Sequence, residues 1–270
     1  MNSFNYIVTT LLIIFTFTEQ HAGAQTSDIR MPPGDEQLLA PWLDFRGGGH
    51  AVGPTQTLQR KNPDGKVTPW YGGLQNGTLL PASGDGFVRL NSPDTSWGTG
   101  MMISLIQNST AYFVGHYPMK NKVYVASIAQ EHGGPYGPHN SHQNGLDGDI
   151  LFMGQTKYGT VLDDVGQVTS KFNPELNWAY WKLISRQKIV IESKPVSAVY
   201  MIFVAPVLKD YLCNWATQNG MLSDPENAEI MRRLRRTAGH DTHFHVRLRC
   251  SPYYADCNQL GDIAAGTGCD

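Results

Sequence analysis

Two clusters of histidines, about a hundred residues apart, carry the side chains of this chain that are best suited to chemistry. The first is Pro-His-Asn-Ser-His-Gln-Asn-Gly-Leu-Asp-Gly-Asp at 138–149, and the second is Gly-His-Asp-Thr-His-Phe-His-Val-Arg-Leu-Arg-Cys at 239–250. Imidazole and carboxylate groups are ligands that Zn²⁺ takes in proteins, and a catalytic zinc needs three such ligands and an open position for water. The two clusters together therefore predict a zinc site.

The spacing within each cluster suits a shared ion. Gly145 and the glycine at 148 separate His142 from Asp149, and glycine allows the chain to fold back so that both side chains meet one metal. In a strand, His243 and His245 project from the same face, an arrangement that suits one ligand beside one catalytic neighbour. We interpret His142, Asp149 and His245 together as a metal site, whereas isolated histidines are more often ordinary hydrogen-bonded residues.

Several other kinds of active site are absent from the sequence. It contains no Gly-x-Ser-x-Gly elbow, no phosphate-binding glycine loop, no dinucleotide fingerprint and no His-Glu-x-x-His motif. A metal hydrolase without a glutamate beside its histidines needs another general base. A further histidine of the same clusters is the obvious candidate.

The N-terminus predicts export. The run from Tyr6 to Thr18 is apolar apart from threonines, and small residues at 22–24 follow it, which is typical of a signal peptide over 1–24 cleaved before Gln25. An uncleaved anchor is the alternative, but the run is shorter than the ~20 residues that cross a bilayer. No later stretch is long and apolar enough to span, so no integral membrane segment is expected after cleavage.

The remaining chain fits one domain. Residues 25–50 are rich in proline and glycine and predict a loosely ordered arm, and residues 51–270 predict the zinc-binding domain. The net charge is −2 for the whole chain and 21 − 22 = −1 without residues 1–24, which argues against nucleic acid as a partner. The basic stretch at 232–236 is interpreted as the solvated side and end of a helix.

The four cysteines all lie in the last quarter of the chain, at Cys213, Cys250, Cys257 and Cys269. In an exported protein an even number predicts two disulfides, and the residues alone leave three pairings open. A four-cysteine zinc site is the alternative, which the absence of a Cys-x₂-Cys pair disfavours.

Strand and helix signals alternate along the domain and predict an α+β fold, with a central, mostly antiparallel sheet, flanking helices and long loops. Helices are expected at 96–113, from an Asn173 N-cap to about 187, and from an Asp224 N-cap to about 236, where Gly239 ends the last one. Strands are expected at 123–129, 149–152, 188–191 and 196–204, and through the second histidine cluster.

Two motifs give the chain a specific resemblance. They are Ser141-His142-Gln143-x-Gly145-Leu146-Asp147-x-Asp149 and His240-x-x-His243-x-His245-Val246-Arg247-Leu248-Arg249-Cys250. They resemble the penicillin-insensitive murein endopeptidase family, one of the LAS group of zinc peptidases. The resemblance covers about residues 70–269 and is weak upstream of the first motif.

The resemblance implies a role for each motif residue. One zinc per chain would be held by His142, Asp149 and His245 with a water, and His243 and His240 would be catalytic imidazoles. His139 is implied as a further catalytic residue. Around the ligands, the resemblance implies Asp147 as an orienting group, together with Ser141 and Gln143. The family pattern also implies the disulfides Cys250–Cys257 and Cys213–Cys269.

The function implied is that of a periplasmic zinc metalloendopeptidase. Its partners would be the peptide cross-links of peptidoglycan, with the bond from D-Ala to meso-diaminopimelate as the expected target. The alternatives are a D,D- or L,D-carboxypeptidase acting on murein stem peptides and a zinc-containing binding module without catalysis. Retention of His240 and His243 argues against the binding module. Thr237 and the stretch 157–170 depart from the family pattern, which affects substrate contacts more than the metal site.

Overall fold

The computed structural model describes residues 48–117, 119–137 and 139–269. The predicted signal peptide and the arm up to residue 47 lie outside the described residues. None of the helices in those ranges has both the length and the apolarity that a membrane crossing requires.

The helices and strands alternate along the chain. The helices are α1 Gly100–His116, α2 Pro174–Ser185, α3 Pro206–Gln218 and α4 Pro225–Arg233. The strands are β1 His50–Val52, β2 Leu58–Lys61, β3 Val67–Trp70, β4 Gly73–Gln75, β5 Thr78–Leu79, β6 Phe87–Arg89, β7 Trp97–Gly98, β8 Val123–Val125, β9 Asp147–Leu151, β10 Lys188–Ile191, β11 Lys194–Ser197, β12 Val199–Val204, β13 Leu234–Arg236 and β14 His243–Leu248.

A six-stranded sheet in the order β13-β12-β14-β9-β8-β6 forms the centre of the domain. Its three inner pairs are antiparallel, and the outer pairs β12–β13 and β6–β8 are parallel. The described ranges also contain two-stranded sheets, β1–β4, β2–β3, β5–β7 and β10–β11. The prediction of an α+β fold with a mostly antiparallel sheet is confirmed.

Helix α1 begins later than its apolar pattern predicted. Trp97 and Gly98 pair with β5 as strand β7, so the helix starts at Gly100 and runs to His116. The Thr99 side chain caps it by accepting a hydrogen bond from the Met102 amide. The prediction that the helix begins at Ser96 is therefore wrong. Residues 97–98 pair as a strand, and Thr99 is the N-cap of the helix.

The N-caps of the next two predicted helices are confirmed. Asn173 accepts from the Leu176 amide at the start of α2, and Asp224 accepts from the Asn227 amide at the start of α4. Proline follows each cap, which suits the first helical position because its missing N–H would have no partner there.

The end of α4 corrects the interpretation of the basic stretch at 232–236. The helix stops at Arg233, and residues 234–236 turn into strand β13 instead of continuing toward Gly239. Arg233 is 5% exposed, and its guanidinium donates to the Val199 carbonyl and pairs with Glu229. The solvated-helix interpretation is therefore wrong for Arg233, which is buried next to Leu234, a residue of the core.

Two predicted strands are shorter than expected. Strand β8 ends at Val125, but the extended segment after it stays attached, since Ala126 donates to the Asp149 carbonyl and Ser127 accepts from the Asp149 amide. The run at 196–204 divides into β11 and β12 at Ala198, whose amide bonds to the Gln187 carbonyl. The predicted strand at 188–191 is confirmed as β10.

The core lies on one face of the central sheet and supports the site on the other. Phe244, Val246 and Leu248 of β14 are buried in it. The rings of Tyr180 and Trp181 from α2 contact Phe244 at centroid distances of 6.0 and 5.7 Å. Because strand side chains alternate, the residues between these apolar anchors must project from the opposite face.

The structure contains the disulfides Cys213–Cys269 and Cys250–Cys257, the pairing that the resemblance implied. Their sequence separations are 56 and 7 residues. The chain-entropy model gives about 4 kcal/mol for the longer loop and about 2 kcal/mol for the shorter one. We therefore expect the pair Cys213→Ala/Cys269→Ala to lower the free energy of unfolding more than Cys250→Ala/Cys257→Ala does. Urea denaturation of both double variants would show this, and an equal or reversed order would contradict it.

Candidate metal centre

Strands β9 and β14 bring the two histidine clusters together. They are antiparallel neighbours in which His245 lies opposite Asp149 and Arg247 lies opposite Asp147. These side chains alternate with the apolar anchors of β14 and so share the polar face of the sheet. The sequence thus places an imidazole and a carboxylate from distant segments side by side.

His142 comes from the loop that leads into β9. Its backbone is left-handed, with φ of 63°, and its amide donates to Asp147 Oδ2 at 3.1 Å. Gly145, with φ of 73°, packs so closely that an added Cβ would lie 2.8 Å from the Thr99 amide nitrogen. The glycine is therefore required for the loop to fold back and present His142 to the sheet.

Hydrogen bonds fix which nitrogen of each ring is free. His142 Nδ1 lies 2.8 Å from the Ile128 carbonyl oxygen, and His245 Nε2 lies 2.8 Å from Asp147 Oδ1. A carbonyl and an ionised carboxylate only accept, so both nitrogens carry the hydrogen. His142 Nε2 and His245 Nδ1 are left with lone pairs.

Both lone pairs face one carboxylate oxygen. Asp149 Oδ1 lies 3.2 Å from His142 Nε2 and 3.3 Å from His245 Nδ1, and it is buried with no hydrogen-bond partner. Burial alone would raise the pKa of the Asp149 carboxyl, but the neighbouring histidine rings hold it well below its usual range. Asp149 is ionised here, so without a metal its buried charge needs a proton on a neighbouring imidazole, and a cation between the rings would take the place of that proton. The donor set therefore fits a metal ion that takes two imidazoles and a carboxylate.

His139 lies at the edge of the same group. One of its nitrogens is within 4.8 Å of ligand atoms of both His142 and Asp149. Burial and then the charge of His142 lower its pKa, which favours the neutral imidazole. His139 is thus a further imidazole beside His142, His245 and Asp149.

His240 and His243 lie on the other side of the group. His243 Nε2 is 3.5 Å from Asp149 Oδ1, and its Nδ1 is 2.8 Å from Thr242 Oγ1. The His240 ring lies 5.2 Å from the His243 ring, and burial, followed by the charge of His245, lowers the pKa of His240 to about 4. Both imidazoles are therefore within reach of a substrate bound over Asp149.

All these side chains face a cleft of about 400 Å³. It is lined by Gln56, His139, Asn140, Ser141, His142, Asp149, Phe203, Thr237, Ala238, Gly239, His240, His243, His245 and Arg247. Ser141 thus lies on the cleft wall, as does Thr237. Gln143 lies behind it, where Oε1 accepts from the Gly72 amide at 3.0 Å and Nε2 donates to Thr57 Oγ1 at 2.7 Å.

The structure assigns Asp147 several contacts that the sequence alone did not give. It is fully buried and accepts from the His142 amide, from His245 Nε2 and from Arg247 Nε at 2.6 Å. Burial would raise the pKa of this carboxyl, but Arg247 and then His245 hold it far below its usual range. Asp147 thus orients both His142 and His245.

Sequence reasoning gave no role to Arg247 or Phe203. Arg247 also donates to Gln56 Oε1 at 3.0 Å and lies over the Phe203 ring, 5.1 Å from its centre. The alternation of β14 placed Arg247 on the same face as the histidines, which was the available signal. Phe203 carried no such signal, because its place opposite His245 depends on the pairing of β12 with β14.

Replacing Asp147 by asparagine should weaken metal binding without removing a ligand. The amide loses the charge that pairs with Arg247 and can no longer accept from every donor, so the orientation of His245 loosens. Loss of such an outer carboxylate typically costs 10- to 100-fold in metal affinity. Competition with a chromophoric chelator would measure it, with Asp64→Asn on the exposed β2–β3 hairpin as the matched control. Equal affinities for the two variants and the parent would contradict the orienting role.

The chain is similar to known proteins over most of its length. Residues 68–270 match the sequence model of a family described as penicillin-insensitive murein endopeptidase. Similar proteins carry the same name. One from Haemophilus influenzae is 30% identical over 231 residues, covering 79% of this chain and 75% of the relative.

Two further relatives have the same description. A penicillin-insensitive murein endopeptidase of Klebsiella pneumoniae is 27% identical over 237 residues, covering 82% of this chain and 80% of the relative. A protein with the same name from Escherichia coli is 29% identical over 154 residues, which cover 54% of this chain and 52% of the relative. The matched part of the chain includes both histidine clusters.

Proposed function

Because this chain belongs to the penicillin-insensitive murein endopeptidase family, we propose that it hydrolyses the peptide cross-links of peptidoglycan outside the cytoplasm. The observation that carries the proposal is the convergence of His142 Nε2 and His245 Nδ1 on the buried Asp149 Oδ1 beneath an open cleft. A peptide bond laid in this cleft would meet an electrophilic centre and two further imidazoles.

We propose zinc as the cofactor, one per chain, held by His142, Asp149 and His245. Imidazole nitrogens favour zinc over magnesium or calcium, which prefer oxygen ligands. Bound there, zinc polarises the scissile carbonyl and lowers the pKa of a water molecule. His245 is preferred over His139 as the third ligand. Its Nε2 bonds to Asp147, which orients the ring, and its Nδ1 faces Asp149.

The remaining histidines, His243 and His240, are proposed to transfer protons and to position the substrate. His243 has its Nε2 close to the Asp149 carboxylate, so it is placed to accept a proton from the attacking water and to pass it to the leaving amine. His240 Nδ1 bonds to the Ala238 carbonyl, which leaves its Nε2 as an acceptor in the cleft. Arg247 and Asp147 keep the ligand rings in position throughout.

The bond that we propose is the cross-link from D-Ala to meso-diaminopimelate, and the compartment is the periplasm. The test is digestion of purified sacculi, followed by chromatography of the released muropeptides. An endopeptidase converts cross-linked dimers into monomers, loses this activity to a chelator and recovers it with zinc. Release of free alanine without loss of dimers would instead establish a carboxypeptidase. Binding to sacculi without any product would establish a non-catalytic module.

A further inference from the structure

The long connection from β9 to α2 is attached to the segment that carries His240 and His243. We refer to residues 154–170 as the cleft loop. Its Val161 is fully buried, and the Val161 amide donates to the Asp241 carbonyl at 2.9 Å. The Thr169 amide and hydroxyl both bond back to the Val161 carbonyl, at 2.9 and 2.8 Å. The loop is thus attached by a backbone hydrogen bond to the segment between His240 and His243.

The cleft loop places Tyr158 beside the proposed general base. The Tyr158 ring lies 6.3 Å from the His243 ring and stands perpendicular to it. The Asn91 side chain lies near its hydroxyl, and the Asn91 amide donates to Ser127 Oγ at 2.8 Å. Burial, followed by the nearby Asp149 carboxylate, raises the pKa of the phenol, so it stays neutral. The hydroxyl end therefore lies on the side of Asn91 and the protein body.

The ring itself is left half in solvent. Tyr158 is 47% exposed. Leaving aromatic area in water gives up the stabilisation that its burial would provide. An exposed aromatic ring beside His243, which itself lines the cleft, is suited to pack against a ligand.

We propose that Tyr158 contacts the substrate peptide on the His243 side of the scissile bond and helps to set its affinity. The inference rests on the proposed function, since it assumes a murein cross-link in the cleft. The part of the substrate that fits an aromatic face is the aliphatic carbon chain of a stem-peptide residue next to the scissile bond. In this proposal Tyr158 is a substrate-binding residue, and its ring is the part that makes the contact.

The test is a steady-state comparison on a purified cross-linked muropeptide dimer. Tyr158→Ala removes the ring, so KM should rise about tenfold, which corresponds to the loss of one modest apolar contact. The kcat should stay within about twofold of the parent, because the imidazoles and the ligands are unchanged. Tyr158→Phe keeps the ring and loses only the hydroxyl, so its KM should stay within about threefold of the parent.

Val165→Ala is the matched control, because Val165 lies in the same cleft loop and is 78% exposed. It should behave like the parent, and thermal melts should verify that every variant is folded. An unchanged KM in Tyr158→Ala would overturn the inference, as would a fall in kcat with KM unchanged, or an equal rise of KM in Val165→Ala. A parent protein that leaves the dimer intact would overturn the proposed function itself, which is a distinct outcome.

Discussion

His142→Ala, Asp149→Ala and His245→Ala should each lose the bound metal and the hydrolytic activity together. The parent should carry about one zinc per chain, and each variant should retain only a small part of it, because two remaining ligands hold zinc poorly. Digestion of sacculi by the variants should fall below detection. Metal analysis by mass spectrometry and muropeptide chromatography on the same preparations would check both parts.

The matched control for these variants is His116→Ala. His116 is an exposed histidine at the end of α1, where its ring stacks on Tyr112. It should keep the parental zinc content and activity. His139→Ala tests the choice between the two possible third ligands, and we expect it to keep its zinc. Full occupancy in His245→Ala, together with metal loss in His139→Ala, would replace His245 by His139 in the ligand set.

The second large effect is expected from His243→Ala, which should keep zinc and lose turnover. The variant leaves His142, Asp149 and His245 in place, so the metal content should match the parent. Loss of a positioned acid or base lowers kcat by about 10²–10⁴, with little change in substrate affinity. Zinc content and kcat measured side by side would separate this variant from His245→Ala, two residues further along the same strand.

A parental rate in His243→Ala would exclude His243 as the general base. His240 would then be the residue to replace, because its Nε2 is free on the cleft side. Loss of zinc in His243→Ala would instead assign His243 to the ligand set. Either result would change the mechanism without changing the family.

The sequence predicted the elements whose signals are local. The N-caps Asn173 and Asp224 lie where expected, because a side chain that bonds its own helix start needs no distant partner. The two-residue alternation of β14 likewise placed the histidines and Arg247 on one face. The glycine at 145 predicted a loop that folds back, and its close approach to Thr99 gives the reason.

Features that depend on distant packing were not predictable in the same way. The start of α1 moved because Trp97 and Gly98 pair with β5, and Arg233 is buried because its neighbour enters the core. Beside the cleft, the bond between Val161 and Asp241 attaches the loop that carries Tyr158 to the segment before His243. These contacts join segments that are far apart in sequence, so no local sequence pattern predicts them.

The proposed ligands also have a consequence for the lifetime of the protein. His142 and His245 are separated by about a hundred residues, whereas the disulfides close loops within 213–269 and 250–257. A bound ion would therefore act as a cross-link between two parts of the chain that the disulfides leave unconnected. Binding to the folded state alone adds about 2.7 kcal/mol to stability when free zinc is 100 times its Kd. Zinc supply would then govern resistance to proteolysis as well as catalysis, so metal-starved cells would hold fewer copies of the enzyme.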